Sequence, residues 1–284
     1  MTVDTAYPVY DIVDVRGTDN QGVLDSMDVS CELRGIVHGW NEYPLGLRFT
    51  LIDDTHGINV FSPINQYGYE VLEGDSLRVR GTVSQFQGLA VMYTDTVIYE
   101  GGGFETQEPF LVEEMNEDSE SQFVKLECVT IVQPDQWTNA FPYFDVLVDH
   151  GLGQFMMRID GNTDLWGTPV PTGSFSIAGI GGQSDAASPF FDGYTLTPLK
   201  LEDLIEQVPY SDCNGLCFND FDGDGVCDEL EVYGCSEFGA CNFNPGATED
   251  DGTCDYSCFG CTDPEALNWD EAATVDDGLS LIHI

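Results

Sequence analysis

Asp220, Asp222, Asp224, Asp228 and Glu231 stand at positions 1, 3, 5, 9 and 12 of a twelve-residue segment, with Gly225 at position 6 and Val226 at position 7. That spacing suits a hard dication. Ca2+ takes six to eight oxygens at about 2.3 to 2.6 Å, and in such loops the seventh residue lends its backbone carbonyl. Glycine at the sixth position allows the sharp turn. Five carboxylates in so short a span also repel one another until a cation neutralises them. The expectation is one calcium ion held by Asp220, Asp222, Asp224, Asp228, Glu231 and the Val226 carbonyl, with a solvated acidic turn as the alternative. Asn242, Asn244 and Asp250, and again Asn268, Asp270 and Asp276, either add weaker sites or serve as turn residues.

The surrounding segment explains how such a loop would be held. Eight of the 10 cysteines, Cys213, Cys217, Cys227, Cys235, Cys241, Cys254, Cys258 and Cys261, fall between residues 213 and 261. A segment this short, with few large apolar side chains, cannot stabilise itself by burial, so disulfides among all eight are expected, which places it in an oxidising compartment. Zinc at the short Cys213/Cys217 and Cys258/Cys261 spacings is the rival reading. The tail also repeats at an offset of 26 residues, Cys235 to Cys261. Gly234-Cys235 through Asp251-Gly252 returns as Gly260-Cys261 through Asp277-Gly278, with Leu267 in place of Cys241 and Ser280 in place of Cys254. Those two joint absences point to a Cys241–Cys254 bridge, with Cys235–Cys254 as the competitor. Residues 279–284 leave the repeat and its acidity and read as a truncation or sequence scar.

From Asp212 to Gly278, the Asp-Phe-Asp-Gly-Asp-Gly-Val-Cys-Asp-Glu run and the Gly-Cys-Thr-Asp-Pro-Glu-Ala-Leu-Asn-Trp unit resemble the cysteine-rich tails of secreted and surface proteins of marine bacteria. The loop itself is similar to thrombospondin type 3 and EF-hand calcium loops. The resemblance implies a calcium-stabilised stalk or spacer. Pro209, Asn214-Gly215 and Cys217 do not permit the entering helix of a paired EF-hand, which favours a static structural site.

Upstream, apolar residues alternate, the mark of strands with one buried face. Val29-Cys31-Leu33, Leu47-Phe49-Leu51, Ile58-Val60, Leu77-Val79 and Leu89-Val91 form one set of five; Val124-Leu126-Cys128, Val146-Val148, Phe155-Met157-Ile159, Phe175-Ile177 and Leu196 form a second. Turn residues separate them, and Ser76 to Gly81 matches Ser174 to Gly179, as in a duplication. Five strands with a long third connection resemble the oligonucleotide/oligosaccharide-binding (OB) barrel, whose second and third strands carry ligands. The phrase from Cys31 to Gly39 is similar to barrel-like modules in secreted bacterial proteins, some attached to extracellular nucleases. Cys31 and Cys128 are expected to be buried thiols.

The chemistry of the upstream part is sparse. Arg34, Arg48, Arg78 and Arg80, half of the 8 basic residues, lie on outward positions with Phe61 and Tyr93 as stacking platforms, a possible ligand-binding face. Pairing of these arginines with Glu32 and Asp75 is the plainer account. A formal charge of -43 opposes the counterion release on which nucleic-acid binding depends. His38, His56, His150 and His283 form no metal-binding pair, and neither a nucleophile elbow nor a phosphate loop occurs. No apolar run reaches the roughly 18 residues of a membrane helix, and residues 1–5 lack signal-peptide character.

The sequence therefore reads as all-β: two tandem OB-like five-stranded barrels, 1–101 and 108–208, then a disulfide-rich calcium-loop tail, 211–278, with little regular structure. The expected role is a secreted, non-catalytic binding or structural module with calcium as its cofactor and a glycan or protein as partner. The alternative is a nucleic-acid- or glycan-binding accessory to a larger secreted enzyme such as a nuclease.

Overall fold

A computed structural model describes residues 7–206, 209–212 and 215–281. The chain divides into two units, Met1–Pro209 and Tyr210–Ile284. Strands dominate, and among the described residues helix occurs only as single 3-10 turns.

In the first unit, β1 (Ser30–His38), β2 (Leu47–Ile52), β3 (Gly57–Ser62), β4 (Ser76–Phe86) and β5 (Leu89–Gly101) close into a barrel in the order β1-β2-β3-β5-β4. All pairings are antiparallel except β3 with β5. Alternation builds the interior: Cys31, Leu33 and Val37, Leu47, Phe49 and Leu51, Ile58 and Val60, and Leu77, Val79 and Val83 are all fully buried in one cluster. On β5 the face is the opposite of that expected. Ala90 and Met92 fill the barrel, while Leu89 and Val91 border a notch outside it. The two-residue turn Gln87-Gly88, with both φ angles positive, pairs Phe86 with Leu89 and hence Val83 with Met92. Because Val83 points inward, so must Met92.

β6 (Phe110–Leu111) leads to the second sheet, made from β7 (Phe123–Ile131), β8 (Tyr143–Asp149), β9 (Gln154–Asp160), β10 (Phe175–Gln183), β11 (Tyr194–Thr197) and β12 (Leu204–Glu206). Its order is β12-β10-β11-β9-β8-β7-β6 with a further β10–β7 pairing, so β7 to β11 repeat the partners and directions of β1 to β5. The expected strand face on β7 is corrected at one residue. Cys128 takes φ 61 in a bulge and leaves the face, and Val129 occupies the core position instead.

Barrel and sheet meet through a small apolar cluster, Ile52 against Phe123, Ala178 and Ile180. A buried ion pair lies at the same junction: Arg16 Nη2 is 2.8 Å from Glu120 Oε1, with side chains 5% and 1% exposed. Arg16 also donates to the carbonyls of Gly57 and Glu120. The backbone of Ser121 runs so close to Gly57 that any side chain there would collide with its carbonyl.

Among its described residues the second unit has almost no apolar interior, and the crosslinks are Cys217–Cys227, Cys235–Cys254 and Cys241–Cys258. The 26-residue repeat is structural: β13 (Tyr233–Gly234) pairs with β14 (Glu249–Asp250) as β15 (Phe259–Gly260) pairs with β16 (Val275–Asp276), all parallel. Hydrogen bonds recur at the same offset. Asn242 Nδ2 donates to the Thr253 carbonyl at 2.8 Å, and Asn268 Nδ2 to that of Leu279 at 3.0 Å. Two cysteine expectations change. Cys254 bonds Cys235 rather than Cys241, whose partner is Cys258. Cys261 is a buried free thiol because its counterpart position holds Ser280, whose Oγ lies 3.0 Å from the sulfur. Cys213 lies outside the described residues.

Candidate functional site

The loop from 220 to 231 is set by its own aspartates. Each short carboxylate accepts backbone N–H groups a few residues ahead, the habit that makes Asp a turn residue. Asp220 takes the amides of Gly223 and Gly225 at 2.8 and 3.2 Å, and Asp224 that of Val226 at 2.8 Å. Gly223 and Gly225 have φ 76 and 89, a region open to them because they lack a Cβ. Asp228 reaches back to the Phe221 amide at 2.9 Å and opens a 3-10 turn, Asp228–Leu230. The Cys217–Cys227 bond anchors the flank.

The result is convergence of oxygens. Carboxylate oxygens of Asp220, Asp222 and Asp224 lie within 4.8 Å of one another, and so do those of Asp222, Glu231 and Glu249. Glu231 is steadied by the Thr248 hydroxyl at 2.6 Å, and that hydroxyl accepts from the Val232 amide. Glu249 is the residue that sequence reasoning missed, since it sits 18 positions beyond Glu231, on β14. Its carboxyl is pushed up by desolvation, by its hydrogen bond with Asp222, and by the charges of Asp222, Glu231 and Asp224. A signal was present in the repeat: between Ala247 and Gly252 and their counterparts, only Glu249, matched by Val275, differs.

A second acidic group, Glu237, Asp250 and Cys254, is satisfied without a cation. Cys254 is spent in its disulfide, Glu237 accepts the Tyr256 hydroxyl, and Asp250 accepts the Ser236 hydroxyl and the Gly252 amide. Asn242, Asn244, Asn268 and Asp270 are likewise engaged in turn hydrogen bonds. Cys217 and Cys258, as disulfide sulfurs, are not the thiolates that zinc requires.

The four arginines do not form one face. The register sets Glu32 opposite Arg80 and Arg34 opposite Arg78, and Glu32, 3% exposed, gathers Arg34 at 2.9 Å, Arg80 at 2.8 Å and Arg78 at 3.8 Å. Burial alone would raise the Glu32 carboxyl, but hydrogen bonds from Arg80 and Arg34 and the charges of Arg80 and Arg78 hold it below its usual range. Arg78 also meets Glu100 at 2.6 Å. Asp75 accepts the Tyr69 hydroxyl instead of pairing with an arginine. Arg48 stands apart on β2, 3.3 Å from Glu42, beside Phe61 and Tyr93, which meet edge to face at 5.6 Å.

The histidines serve the fold. Nδ1 of buried His38 bonds the Ile36 carbonyl and its Nε2 accepts the Gln107 amide, which fixes a neutral tautomer; burial lowers its pKa. Burial and then the Arg16 charge push His56 down to about 4. His150 packs against Phe155, and His283 lies outside the described residues. Cys31 is buried, which drives its thiol up to about 11. No helix among the described residues is long and apolar enough to cross a membrane.

No family model and no curated protein matches the chain. Among solved structures, the hypothetical protein ygiW from E. coli is similar over 32% of this chain and 89% of its own, at 16% identity and TM-score 0.26. The tetrameric p202 HIN2 is similar over 61% of this chain and 88% of its own, at 10% identity and TM-score 0.27. Both scores are too low to bear on function.

Proposed function

We propose that the chain is an extracellular, non-catalytic binding or structural module whose C-terminal unit is stabilised by one calcium ion, after the manner of a thrombospondin type 3 loop. The observation that carries this is the convergence of Asp220, Asp222, Asp224, Glu231 and Glu249, all hard oxygen donors, in a unit whose described residues bury almost no apolar core to hold it. The loop spacing would add Asp228 and the Val226 carbonyl to the ligand set, Asp228 giving up its hydrogen bond from the Phe221 amide. Three disulfides in the same unit fit an oxidising, extracellular setting.

Calcium here has a mechanical role. Glu231 closes the loop while Glu249 and Thr248 belong to the first repeat, so an ion shared by Glu231 and Glu249 fastens loop to repeat. At a hundredfold excess over its dissociation constant it adds about 2.7 kcal/mol to the folded state. Limited proteolysis tests this: calcium should protect residues 210–281 and chelation should open them while the first unit stays intact. Equal cleavage with and without calcium would defeat the reading.

A further inference from the structure

A cavity of about 330 Å³ opens where β1 ends, at the low end of small-ligand sites, roughly 300 to 1,000 Å³. None of its lining residues lies on β2 or β3. Backbone geometry builds it. Gly39, with φ 79, follows the last residue of β1; its amide donates to Glu73 Oε1 at 3.1 Å, and a Cβ there would sit 3.0 Å from Leu199 Cδ2. The segment leading into β4 is pinned alongside, because the Gly74 amide donates to the Val37 carbonyl and the Val37 amide to that of Asp75. A 3-10 turn, Leu201–Asp203, supplies a further wall, in which Asp203 Oδ2 accepts the Leu199 and Lys200 amides at 2.8 and 3.0 Å.

The walls specify the chemistry of an occupant. Trp40, Leu72, Phe123 and Leu199 give aromatic and aliphatic sides. Against them stand two carboxylates, Glu73 and Asp203. Asp203 is only 8% exposed, yet its Oδ1 accepts no hydrogen bond among the described residues and remains open to solvent. Burial pushes this carboxyl up, while the two amides and the Lys200 charge pull it down. Lys200 is itself tied to Glu202 at 3.3 Å, so it is one cation among three carboxylates, and Glu105 and Glu108 line the space next to Glu73. His38 adds no charge, since its Nδ1 meets the Ile36 carbonyl and its Nε2 accepts the Gln107 amide. A nearly buried carboxylate is costly until a charged donor meets it. The face of an indole attracts cations as well. Anions are disfavoured by the same carboxylates.

We propose that this cavity binds a small organic cation, a protonated amine on an apolar body of one ring or a short alkyl chain. The ammonium donates to Asp203 Oδ1 with Glu73 beside it, and the apolar body packs on Trp40, Leu72 and Phe123. The site belongs to the first unit and does not rest on the calcium reading.

The test is calorimetric titration of the full, calcium-loaded chain at physiological salt with phenethylamine and hexylamine, beside phenethyl alcohol, phenylpropionate and methylammonium. At least one of the two amines should bind with Kd of roughly 1 mM or tighter. The alcohol, the acid and methylammonium, which each lack the charge or the apolar body, should bind at least about tenfold more weakly. Amine binding should change the tryptophan fluorescence, and Trp40→Phe, which keeps Trp137, Trp166 and Trp269, should remove that change. Asp203→Asn retains an oxygen for the Leu199 and Lys200 amides, so it should melt near the parent while weakening the amine by about tenfold. Glu73→Gln, at an exposed side chain, should weaken it by about threefold. Asp135→Asn, exposed and outside the cavity, and Asp222→Ala in the metal loop should leave it unchanged, which separates this site from the overall charge and from calcium. No binding by either amine, equal binding by phenethyl alcohol or methylammonium, parent-like binding by Asp203→Asn and Glu73→Gln, or equal weakening by Asp135→Asn would each overturn the proposal. Should Asp203→Asn fail to fold, Glu73→Gln and the comparison of probes on the parent still decide.

Discussion

Replacing Arg16 by methionine should destabilise the first unit by about 3 to 5 kcal/mol at pH 7. Methionine keeps most of the bulk, so the cost is electrostatic. Glu120, 1% exposed, loses the guanidinium at 2.8 Å, and the Gly57 carbonyl loses a donor at 2.8 Å. The stranded carboxylate can escape by taking a proton. From an ordinary value of 4.5 to pH 7 that costs about 3.4 kcal/mol, at about 1.4 per pH unit, and the lost hydrogen bond adds about 1. Burial already pushes this carboxyl up, and removing Arg16 pushes it further. A raised folded-state carboxyl stabilises when protonated and loses that contribution as pH rises through its folded value. The deficit should therefore shrink to about 2 kcal/mol at pH 5. Adding Glu120→Gln removes the charge while an amide oxygen still accepts the Ala90 N–H, so the double variant should recover about 2 kcal/mol relative to Arg16→Met. Urea unfolding followed by the fluorescence of Trp40 and Trp137 at both pH values reads all three quantities. A deficit below about 1 kcal/mol, the same deficit at both pH values, or strict additivity in the double variant would refute the reasoning.

Ser280→Cys should form a disulfide with Cys261, as Cys254 does with Cys235, and stabilise the tail by about 3 kcal/mol; thiol titration and peptide mapping of the unreduced protein would detect it. Glu32→Gln should remove the acid-side stability of the first unit: Glu32 lies below its ordinary 4.5, so its contribution is present above that value and lost as pH falls through the folded one, and melting curves from pH 6 to 3 should converge for parent and variant. Labelled oligo-deoxythymidine should show no micromolar binding near physiological salt, because the net charge of -43 opposes it and Glu32 and Glu100 already engage Arg34, Arg78 and Arg80. Binding weakened by Arg78→Ala or Arg80→Ala would restore the accessory role to a nuclease.

The strands of both sheets were legible because one buried face imposes period two on the sequence. Where that reading slipped, backbone geometry overruled side-chain type. On β5 both Leu89-Val91 and Ala90-Met92 are apolar, and only the Gln87-Gly88 turn, through the pairing it enforces, selects the inner set. On β7 the bulge at Cys128 is invisible to periodicity because Cys128 and Val129 are both acceptable core residues. Pairing of the arginines with Glu32 was legible, and Glu32 draws in three of the four, but outward position does not fix neighbours, so Asp75 goes to Tyr69 and Arg48 to Glu42. The convergence of Asp220, Asp222 and Asp224 was legible because their spacing is local, whereas Glu249 arrives from a separate strand.

Calcium titration of the chelator-treated full chain by calorimetry tests the central claim most directly. One ion should bind with Kd of roughly 0.1 to 1 mM, the range of extracellular modules. Asp222→Ala and Glu231→Ala should abolish the heat, and Glu249→Ala should weaken binding about tenfold by removing the ligand that joins loop to repeat. Absence of heat in the parent, or parent-like binding by Asp222→Ala and Glu231→Ala, would contradict it and leave the loop as an acidic turn.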